Sequence, residues 1–542
     1  MKSKQRKWKR KAFTAAVLAG TLTLGGLPVH AFSDESGLNA IEEQIPETDP
    51  SDIPEAEPGG YLADEYDLNA PESFYAETDI RTDEEELLLG DSEIPAAYPE
   101  DPEEVLTALP PVRSQYSETC WAFSAVGNAE IGRIMNGTRD TAVDFSELAL
   151  VYSNYHLLTD PLGGTAGDAI EITTGQSYLD IGGTYSFAWN TLMGWWGVLE
   201  EQDLPFQSET ISMLKQNGWS SEAAQNDTVR LHTVRNMNRH TNRDAIKRAI
   251  MSGGAVSGSV YSGTYSGNSL YNASTKAYYS DHSCGTNHAV LIVGWDDSFS
   301  ADNFAVKPPA DGAWLVRNSW GEQAIDYSGY YWLSYEDQSA ASAFYSCEFV
   351  ENDSFYDRNY QYDGCRYSKN IVPSSEGTPL VAANVFDVKS AAEELKAVMV
   401  SIGSADSVCT VRIYTGLTDS ADPESGELKA ETTTNVDFAG YYTMELPEAV
   451  ALAGGEKYSV VVEVSCASGK PSIGVEKTAT VNGISHTASI KAGQSFSKAA
   501  GSSKYTDLIK NKNSWGNLRI KAFTDVVDDR PAPEPTASPE PT

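Results

Sequence analysis

Three polar residues, far apart in the chain, have the types and settings that peptide-bond hydrolysis through a thiol requires. Such a reaction needs a thiolate, an imidazole that accepts and returns a proton, and donors for the oxyanion of the tetrahedral intermediate. Cys120 opens a predicted helix, where the helix dipole lowers the pKa of a thiol. His288 comes directly before one apolar run, and Asn318 directly follows another. Since ends of neighbouring strands can bring distant residues together, these three are the candidate catalytic residues.

The residues around these three carry a specific resemblance. Cys120 opens the run Cys-Trp-Ala-Phe-Ser, and the segment Pro-Val-Arg-Ser-Gln ends five residues earlier at Gln115. His288 opens His-Ala-Val, and Asn318 opens Asn-Ser-Trp-Gly. In this order they resemble the signatures of papain-family cysteine proteases over about residues 94–350. The resemblance implies an α+β, two-lobed catalytic domain with Cys120 as nucleophile, His288 as general base and acid, and Asn318 as orienter of the imidazole.

The same resemblance assigns roles to four further residues. Gln115 would donate a hydrogen bond to the oxyanion, together with the backbone N–H of Cys120. Trp320 would shield the histidine–asparagine hydrogen bond from water. Gly182 and Gly183 resemble the glycine pair whose backbone holds the substrate as an extended strand, which is strand addition read mainly through main-chain hydrogen bonds.

The loop before the cysteine departs from the family pattern in two ways. Gln115 lies five residues before Cys120, where the family has six, and Glu118 stands where the family has a glycine. The shorter loop affects the geometry of the oxyanion hole, and a carboxylate beside the thiol opposes its ionisation. Because loss of one oxyanion donor costs about 3–4 kcal/mol in other enzymes, an active but slow enzyme is one expectation.

The other five cysteines are assigned structural roles. The resemblance implies a disulfide between Cys284 and Cys347, which would tie the region ahead of the histidine to the end of the catalytic domain. Cys409 and Cys466 lie on separate predicted strands and could pair, which leaves Cys365 over, but sequence alone does not fix this connectivity. The chain contains no Cys-x-x-Cys or His-x-x-x-His spacing, so we predict no metal site, and the chemistry needs no cofactor.

The elements that must position these residues are readable from local patterns. Residues 120–136 lack proline and place apolar residues at helical spacing. Ser146 is a good N-cap for a second helix, with Glu147 in its first turn. The apolar runs at 289–293 and 314–316 indicate buried strands.

Residues 355–525 show a different, β-rich pattern. Short alternating runs recur, for example at 409–414, 441–446 and 457–464, with turns rich in Gly, Asp and Pro between them. Such a pattern indicates an all-β antiparallel sandwich. The segment also resembles the lectin-like domain that often follows the catalytic domain in the secreted bacterial branch of the papain family. That resemblance implies a fold; a glycan, cell-wall or surface-protein ligand for this domain is a hypothesis.

The two ends of the chain differ in composition from the middle. Residues 1–31 hold seven basic residues and no acidic one, and continue into an apolar run with a small-x-small site at 29–31, which is typical of a secretory signal peptide. Residues 32–93 are acidic with few aromatics, so we expect a disordered pro-segment. Residues 526–542 form a proline-rich tail. We therefore expect a secreted, extracellular protein, free or associated with a cell surface, with no transmembrane segment after signal cleavage.

The net charge of the chain argues against nucleic acid as a partner. The 542 residues carry a formal charge of −38, and an acidic protein releases no counterions from nucleic-acid phosphates, so we exclude nucleic acid as a partner. We predict a cysteine endopeptidase that hydrolyses a polypeptide substrate through an acyl-enzyme on Cys120. Two alternatives stay open. One is a surface-associated binding protein whose papain-like domain has lost useful activity; the other is a thiol transpeptidase that forms the same acyl-enzyme but excludes water.

Overall fold

In the computed structural model of this chain, the described residues are 61–62, 93–99, 109–135, 142–196, 198–224, 227–265, 268–283, 285–321, 329–351, 354–373, 375–389, 392–499, 502–510 and 515–527. The predicted signal peptide, nearly all of the acidic segment at 32–93 and the tail beyond residue 527 lie outside them. Among the described residues, no helix combines the length and apolarity needed to cross a lipid bilayer.

The α-helices of the described chain all lie in its first half. They are α1 (Cys120–Arg133), α2 (Glu147–Tyr155), α3 (Tyr185–Leu192), α4 (Ser208–Asn217), α5 (Ser221–Ala224) and α6 (Arg243–Gly253), with a short 3₁₀ helix at Ala301–Asn303 and a later one at Leu508–Lys510. The predicted cap of α2 is confirmed, because the Ser146 hydroxyl accepts a hydrogen bond from the backbone N–H of Ala149 at 3.1 Å.

The strands up to residue 351 are β1 (Tyr61–Leu62), β2 (Ala97–Tyr98), β3 (Ala169–Ile172), β4 (Val229–Asn238), β5 (Val256–Val260), β6 (Thr264–Tyr265), β7 (Asn268–Ser269), β8 (Tyr271–Asn272), β9 (Ala277–Tyr278), β10 (His288–Asp296), β11 (Ala313–Arg317), β12 (Tyr330–Ser334) and β13 (Ala343–Glu351). The later strands are β14 (Arg358–Tyr360), β15 (Ser368–Val372), β16 (Leu380–Asp387), β17 (Ala392–Ile402), β18 (Ser407–Thr415), β19 (Glu427–Val436), β20 (Ala439–Ala453), β21 (Lys457–Cys466), β22 (Ile473–Lys477), β23 (Ala479–Val481), β24 (Ile484–Thr487), β25 (Ser495–Lys498), β26 (Tyr505–Asp507), β27 (Trp515–Leu518) and β28 (Ile520–Val526).

Two hydrophobic cores divide the catalytic region, up to residue 351, into a helical lobe and a β lobe. The helical core contains buried side chains of α1, α2 and α3, such as Trp121, Leu148 and Trp189. The β core lies on a largely antiparallel sheet with the order β4-β13-β5-β10-β11-β12-β9-β8. Helix α1 lies tightly on β10, since a Cβ atom on Gly127 would stand 2.9 Å from Leu291 Cδ1. The predicted α+β, two-lobed fold is confirmed.

The second half is the all-β sandwich that the alternating pattern predicts. One sheet has the order β19-β18-β21-β16-β25-β26, and β14, β28, β17 and β20 run side by side in the facing sheet. Apolar side chains from both sheets, such as Leu395, Val411 and Tyr458, are buried in a shared core. Burial on one face of each strand explains why alternation in the sequence identified these strands.

Hydrogen-bonded strands join the two halves. Strand β20 pairs antiparallel with β4, with Tyr442 opposite Thr233, and β24 pairs antiparallel with β3, with His486 opposite Ile170. Because backbone hydrogen bonds cross the joint at two places, the catalytic and sandwich regions share sheets instead of meeting only through side chains.

Residues near the start of the described chain also take part in sheets. Strand β1 pairs antiparallel with β15, with Tyr61 opposite Val372. These two residues lie within the acidic segment at 32–93, nearly all of which is outside the described residues, so the expectation for that segment stays a prediction. Strand β2 pairs with β10, and the rings of Tyr98 and Trp295 stack at 5.2 Å. Residues 94–98 are therefore part of the β lobe.

The predicted disulfide between Cys409 and Cys466 is corrected by the structure, in which both are free thiols. The register explains this, because Cys409 lies opposite Val464 while Cys466 lies opposite Ser407, so the two cysteines are diagonal neighbours. Cys365 and Cys347 are also buried free thiols. Cys284, the predicted partner of Cys347, lies outside the described residues.

Candidate active site

Sheet register brings the candidate histidine and asparagine together. Strand β10 begins at His288 and its antiparallel neighbour β11 ends at Arg317, so Asn318 emerges at the same edge. The distance between His288 Nε2 and Asn318 Oδ1 is 2.7 Å. The backbone N–H of Ser319 donates to the same Oδ1 at 2.8 Å, which fixes it as the acceptor. Nε2 of His288 therefore carries the proton, and Nδ1 is left as the base.

Trp320 covers this hydrogen bond. Its ring stacks on the imidazole of His288 with centroids 4.6 Å apart. His288 and Asn318 are both buried. The indole thus occupies the shielding position that the resemblance implies for it.

The nucleophile candidate lies at the start of α1, which packs on β10, the strand that begins at His288. Cys120 is the first residue of α1, and the backbone N–H of Ala289, the residue after His288, acts to lower the pKa of its thiol. Among the described residues, no direct hydrogen bond joins the thiol to the imidazole. Catalytic hydrogen bonds are often long or poorly aligned in ligand-free sites and tighten when substrate binds.

Burial opposes each charge of the reactive pair taken singly. It raises the pKa of Cys120 to about 11, with Glu118 adding to the rise and the Ala289 N–H opposing it. It lowers the pKa of His288 to about 4 against the effect of its bond to Asn318. Burial therefore acts on the thiol in the direction opposite to the helix N-terminus, which by itself lowers the pKa of a thiol.

Gln115 is held at both ends of its amide. Its Oε1 accepts hydrogen bonds from Trp320 Nε1 at 3.1 Å and from the Ser319 hydroxyl at 2.8 Å. Its Nε2 donates to the backbone oxygen of Ser117 at 2.8 Å. An indole nitrogen only donates, so this amide orientation is fixed, and the second N–H of Nε2 is left for an oxyanion.

The glycine pair presents a short backbone edge. Gly182 has a φ of +78°, and its carbonyl accepts from the Tyr155 hydroxyl. A Cβ atom on Gly183 would stand 2.4 Å from the ring of Trp121, so only glycine fits there. Within the described part of the chain, the amide and carbonyl of Gly183 make no internal hydrogen bond. They are available to pair with an extended peptide.

A buried ion cluster behind the site was missed by the sequence analysis. Arg113 Nη1 lies 2.5 Å from Glu130 Oε1 and 3.9 Å from Glu147 Oε1. Arg317 donates to the carbonyls of Pro110 and Pro111 at 2.7 and 2.9 Å. The only sequence signal was position, since Arg113 lies two residues before the glutamine and Arg317 directly before the asparagine. The cluster fixes the segments that carry Gln115 and Asn318 against α1 and α2.

We expect Glu118→Gln to accelerate alkylation of Cys120 by iodoacetamide about two- to fivefold at pH 8. The exposed carboxylate raises the pKa of the thiol by like-charge repulsion, and the amide removes that charge. Added salt should raise the wild-type rate towards that of the variant because it screens exposed charges. Glu222→Gln, which removes an exposed carboxylate on α5, is the matched control. Equal rates for wild type and Glu118→Gln at low salt would contradict this account.

Comparison with known protein families identifies both regions of the chain. Residues 101–352 match the papain family cysteine protease model, and residues 359–524 match the model of a lectin-like domain. No significant match is found among curated proteins.

Two solved structures share the arrangement of both domains. One contains the cysteine protease and lectin-like domains of Cwp84, a surface layer associated protein of Clostridium difficile, with a TM-score of 0.64 and 24% identity over 80% of this chain and 90% of that one. The other is a form of the clostridial cysteine protease Cwp84 after propeptide cleavage, with a TM-score of 0.63 and 25% identity over 80% of this chain and 99% of that one. Residues 101–352 of this chain belong to the papain family of cysteine proteases and are followed by a lectin-like domain at residues 359–524.

Proposed function

We propose that this protein is a secreted cysteine endopeptidase with Cys120, His288 and Asn318 as its catalytic residues. One observation carries the proposal. The hydrogen bond from His288 to Asn318, 2.7 Å long and covered by Trp320, leaves the unprotonated Nδ1 beside the segment that holds the Cys120 thiol. Thiol acyl transfer needs a nucleophile and an oriented base, and Cys120 at the start of α1 and the His288–Asn318 pair under Trp320 would supply them.

The first half of the reaction forms the acyl-enzyme. The Cys120 sulfur attacks the scissile carbonyl while its proton passes to Nδ1 of His288. The oxyanion accepts hydrogen bonds from the backbone N–H of Cys120, at a helix N-terminus, and from the second N–H of Gln115. The imidazolium, stabilised through Asn318, then protonates the leaving amine, and the C–N bond breaks to leave a thioester on Cys120.

Water completes the cycle. Neutral His288 removes a proton from water, the hydroxide adds to the thioester carbonyl, and the thiol leaves with the proton returned by the imidazole. A transpeptidase would replace this water with an amine. Product analysis with and without an amine acceptor therefore separates the two reactions.

The substrate is proposed to be a polypeptide bound in an extended conformation. The amide and carbonyl of Gly183, which make no hydrogen bond within the described chain, lie four positions after Leu179, whose carbonyl accepts from the backbone N–H of Glu118 at 3.1 Å. An extended peptide that pairs with Gly183 would be recognised mainly through its main chain.

Secretion and a pro-segment belong to the same proposal. The signal-peptide pattern of residues 1–31 and the acidic composition of 32–93 support export as a precursor. Cwp84 is described as surface layer associated and as having a propeptide that is cleaved. The strand that Tyr61 and Leu62 add to β15 is the part of this segment that the structure describes, and it supports docking of the segment on the lectin-like domain. A glycan, cell-wall or surface-protein ligand of that domain would position the enzyme.

Covalent labelling tests the proposal. We expect an epoxide inhibitor of papain-type enzymes to label purified residues 32–542 once, at Cys120, by opening of the epoxide by the sulfur. Peptide mass spectrometry locates the label, and both Cys120→Ala and His288→Ala should abolish it. Cys365 and Cys409, buried free thiols, serve as internal controls that should stay unmodified.

An unlabelled Cys120 in folded, reduced protein would contradict the proposal. The chain would then be treated as a surface binding protein, and its lectin-like domain would be tested for glycan binding. Labelling of Cys120 without hydrolysis of peptides would favour the transpeptidase instead.

A further inference from the structure

The loop between Gln115 and Cys120 contains one non-glycine residue with a left-handed backbone. Ser117 has a φ of +54°, a conformation that is costly for an L-amino acid other than asparagine, aspartate or glycine. Such a conformation persists where surrounding contacts determine it, and the contacts of Ser117 are therefore informative.

The carbonyl of Ser117 accepts one hydrogen bond and its hydroxyl donates another. Its carbonyl oxygen accepts the hydrogen bond from Gln115 Nε2 at 2.8 Å. Its hydroxyl donates to Oδ1 of Asp180, which lies two residues before Gly182. The adjacent residue, Glu118, ties its backbone N–H to the carbonyl of Leu179 at 3.1 Å. The nucleophile loop is thus attached to the glycine-pair segment at two neighbouring points.

We propose that Ser117 and Asp180 are positioning residues for the oxyanion hole, an inference that rests on the proposed function. The Asp180 carboxylate holds Ser117 in its left-handed conformation, which directs the Ser117 carbonyl at the Gln115 amide. With Oε1 fixed by Trp320 and one N–H fixed by Ser117, the other N–H of Gln115 has a single direction. We call the bond from Ser117 to Asp180 the clasp. It compensates for the loop between Gln115 and Cys120 being one residue shorter than in the family pattern.

The clasp acts on the transition state and not on the thiol. Removal of an oxyanion-hole donor costs about 10²–10³ in kcat in other enzymes. Asp180→Ala and Ser117→Ala only loosen the donor, so we expect each to lower kcat about tenfold and to change KM less than about threefold. Asp180→Asn keeps an oxygen acceptor at Oδ1 and should retain most of the wild-type kcat. Asp203→Ala, at an exposed aspartate outside the site, is the matched control.

Two ligands of the Cys120 thiol separate positioning from general loosening of the fold. A peptide aldehyde forms a hemithioacetal, in which sulfur bonds to carbon and the thiol proton ends on the former carbonyl oxygen, placed in the oxyanion hole. Iodoacetamide alkylates the sulfur with loss of iodide and forms no oxyanion. In full-length mature protein, we expect Asp180→Ala to raise the inhibition constant of the aldehyde about tenfold. The alkylation rate should stay within about threefold of wild type.

The outcomes are distinct. An unchanged inhibition constant of the aldehyde in Asp180→Ala, or an alkylation rate that falls in parallel with kcat, would overturn the clasp. A wild-type protein that binds the aldehyde but hydrolyses no peptide would contradict the proposed function, while the aldehyde constants of wild type and Asp180→Ala would still decide the clasp. A wild-type thiol that neither forms the hemithioacetal nor is alkylated would overturn both.

Discussion

Replacing His288 with alanine is expected to lower kcat/KM for a peptide substrate by about 10⁴-fold or more. With the pKa of Cys120 raised to about 11 by burial, almost no thiolate is present at neutral pH without a base to accept its proton. The reaction should then depend on hydroxide, so the residual rate should rise about tenfold per pH unit towards pH 11. Steady-state cleavage of a fluorogenic peptide between pH 5 and 10 measures this.

The wild-type profile should have a different shape. His288 acts as a base in its neutral form, and its pKa is lowered to about 4, so activity should persist to mildly acidic pH and fall only as the imidazole becomes protonated near pH 4. Cys120→Ala and the double variant Cys120→Ala/His288→Ala should have equal residual rates, because the two residues act as a unit. His282→Ala, at an exposed imidazole beside Asp281, is the control. More than 1% residual activity in His288→Ala at pH 7 would assign the base elsewhere.

The candidate catalytic residues could be located in the sequence because their signals are local. Cys120, His288 and Asn318 each stand in a short run of distinctive neighbours, and the cap at Ser146 involves residues three apart. The β-sandwich was predictable for a related reason, since burial on one face of a strand produces alternation that needs no knowledge of the partner strand.

The electrostatic state of the site was not predictable from those signals. The rise in the pKa of Cys120 comes first from burial beneath segments that are distant in sequence, and a helix N-terminus alone predicts the opposite direction. The register in which the strands pair could not be predicted from the sequence either. Cys409 and Cys466 lie on neighbouring strands as expected, but their diagonal placement follows from a pairing register that sequence alone does not define.

The same limit applies to the contacts that support the site. The bond from Ser117 to Asp180 joins residues 63 positions apart, and Arg113 meets Glu130 across 17 positions. From the sequence alone, charged and polar residues of this kind are predicted to be solvent-exposed, and only the fold shows that they contact each other. Each contact involves a residue two positions from Gln115, so the placement of the Gln115 side chain depends on residues that the sequence motifs do not include.

Replacing Arg113 with methionine is expected to lower the free energy of unfolding of the catalytic region by about 3–5 kcal/mol at pH 8. The guanidinium lies beside Glu130 and Glu147, whose side chains are 1% and 4% exposed, and its loss removes the nearest cation from both carboxylates, with Arg317 still attracting Glu130. For a domain of this size, the first thermal transition should fall by about 6–15 °C. Differential scanning calorimetry of the full chain at pH 8 and pH 5 measures the effect.

The sign of the pH dependence distinguishes this explanation from lost packing. Burial raises the pKa of Glu130 and of Glu147 above the unfolded value, so the folded state binds more protons and stability decreases as pH rises. Removing Arg113 raises these pKa values further, and the loss of stability should therefore be smaller at pH 5 than at pH 8.

Variants of the partner residue complete the argument. Arg113→Met with Glu130→Gln should recover much of the stability at pH 8, since one buried charge is gone, and Arg113→Lys should lie between wild type and Arg113→Met because lysine keeps the charge without the fork. Equal losses at pH 5 and pH 8, unrelieved by Glu130→Gln, would mean that the arginine contributes packing alone. The segment leading to Gln115 would then be held by the Ser117–Asp180 side of the loop, and the ion cluster would have no part in shaping the oxyanion hole.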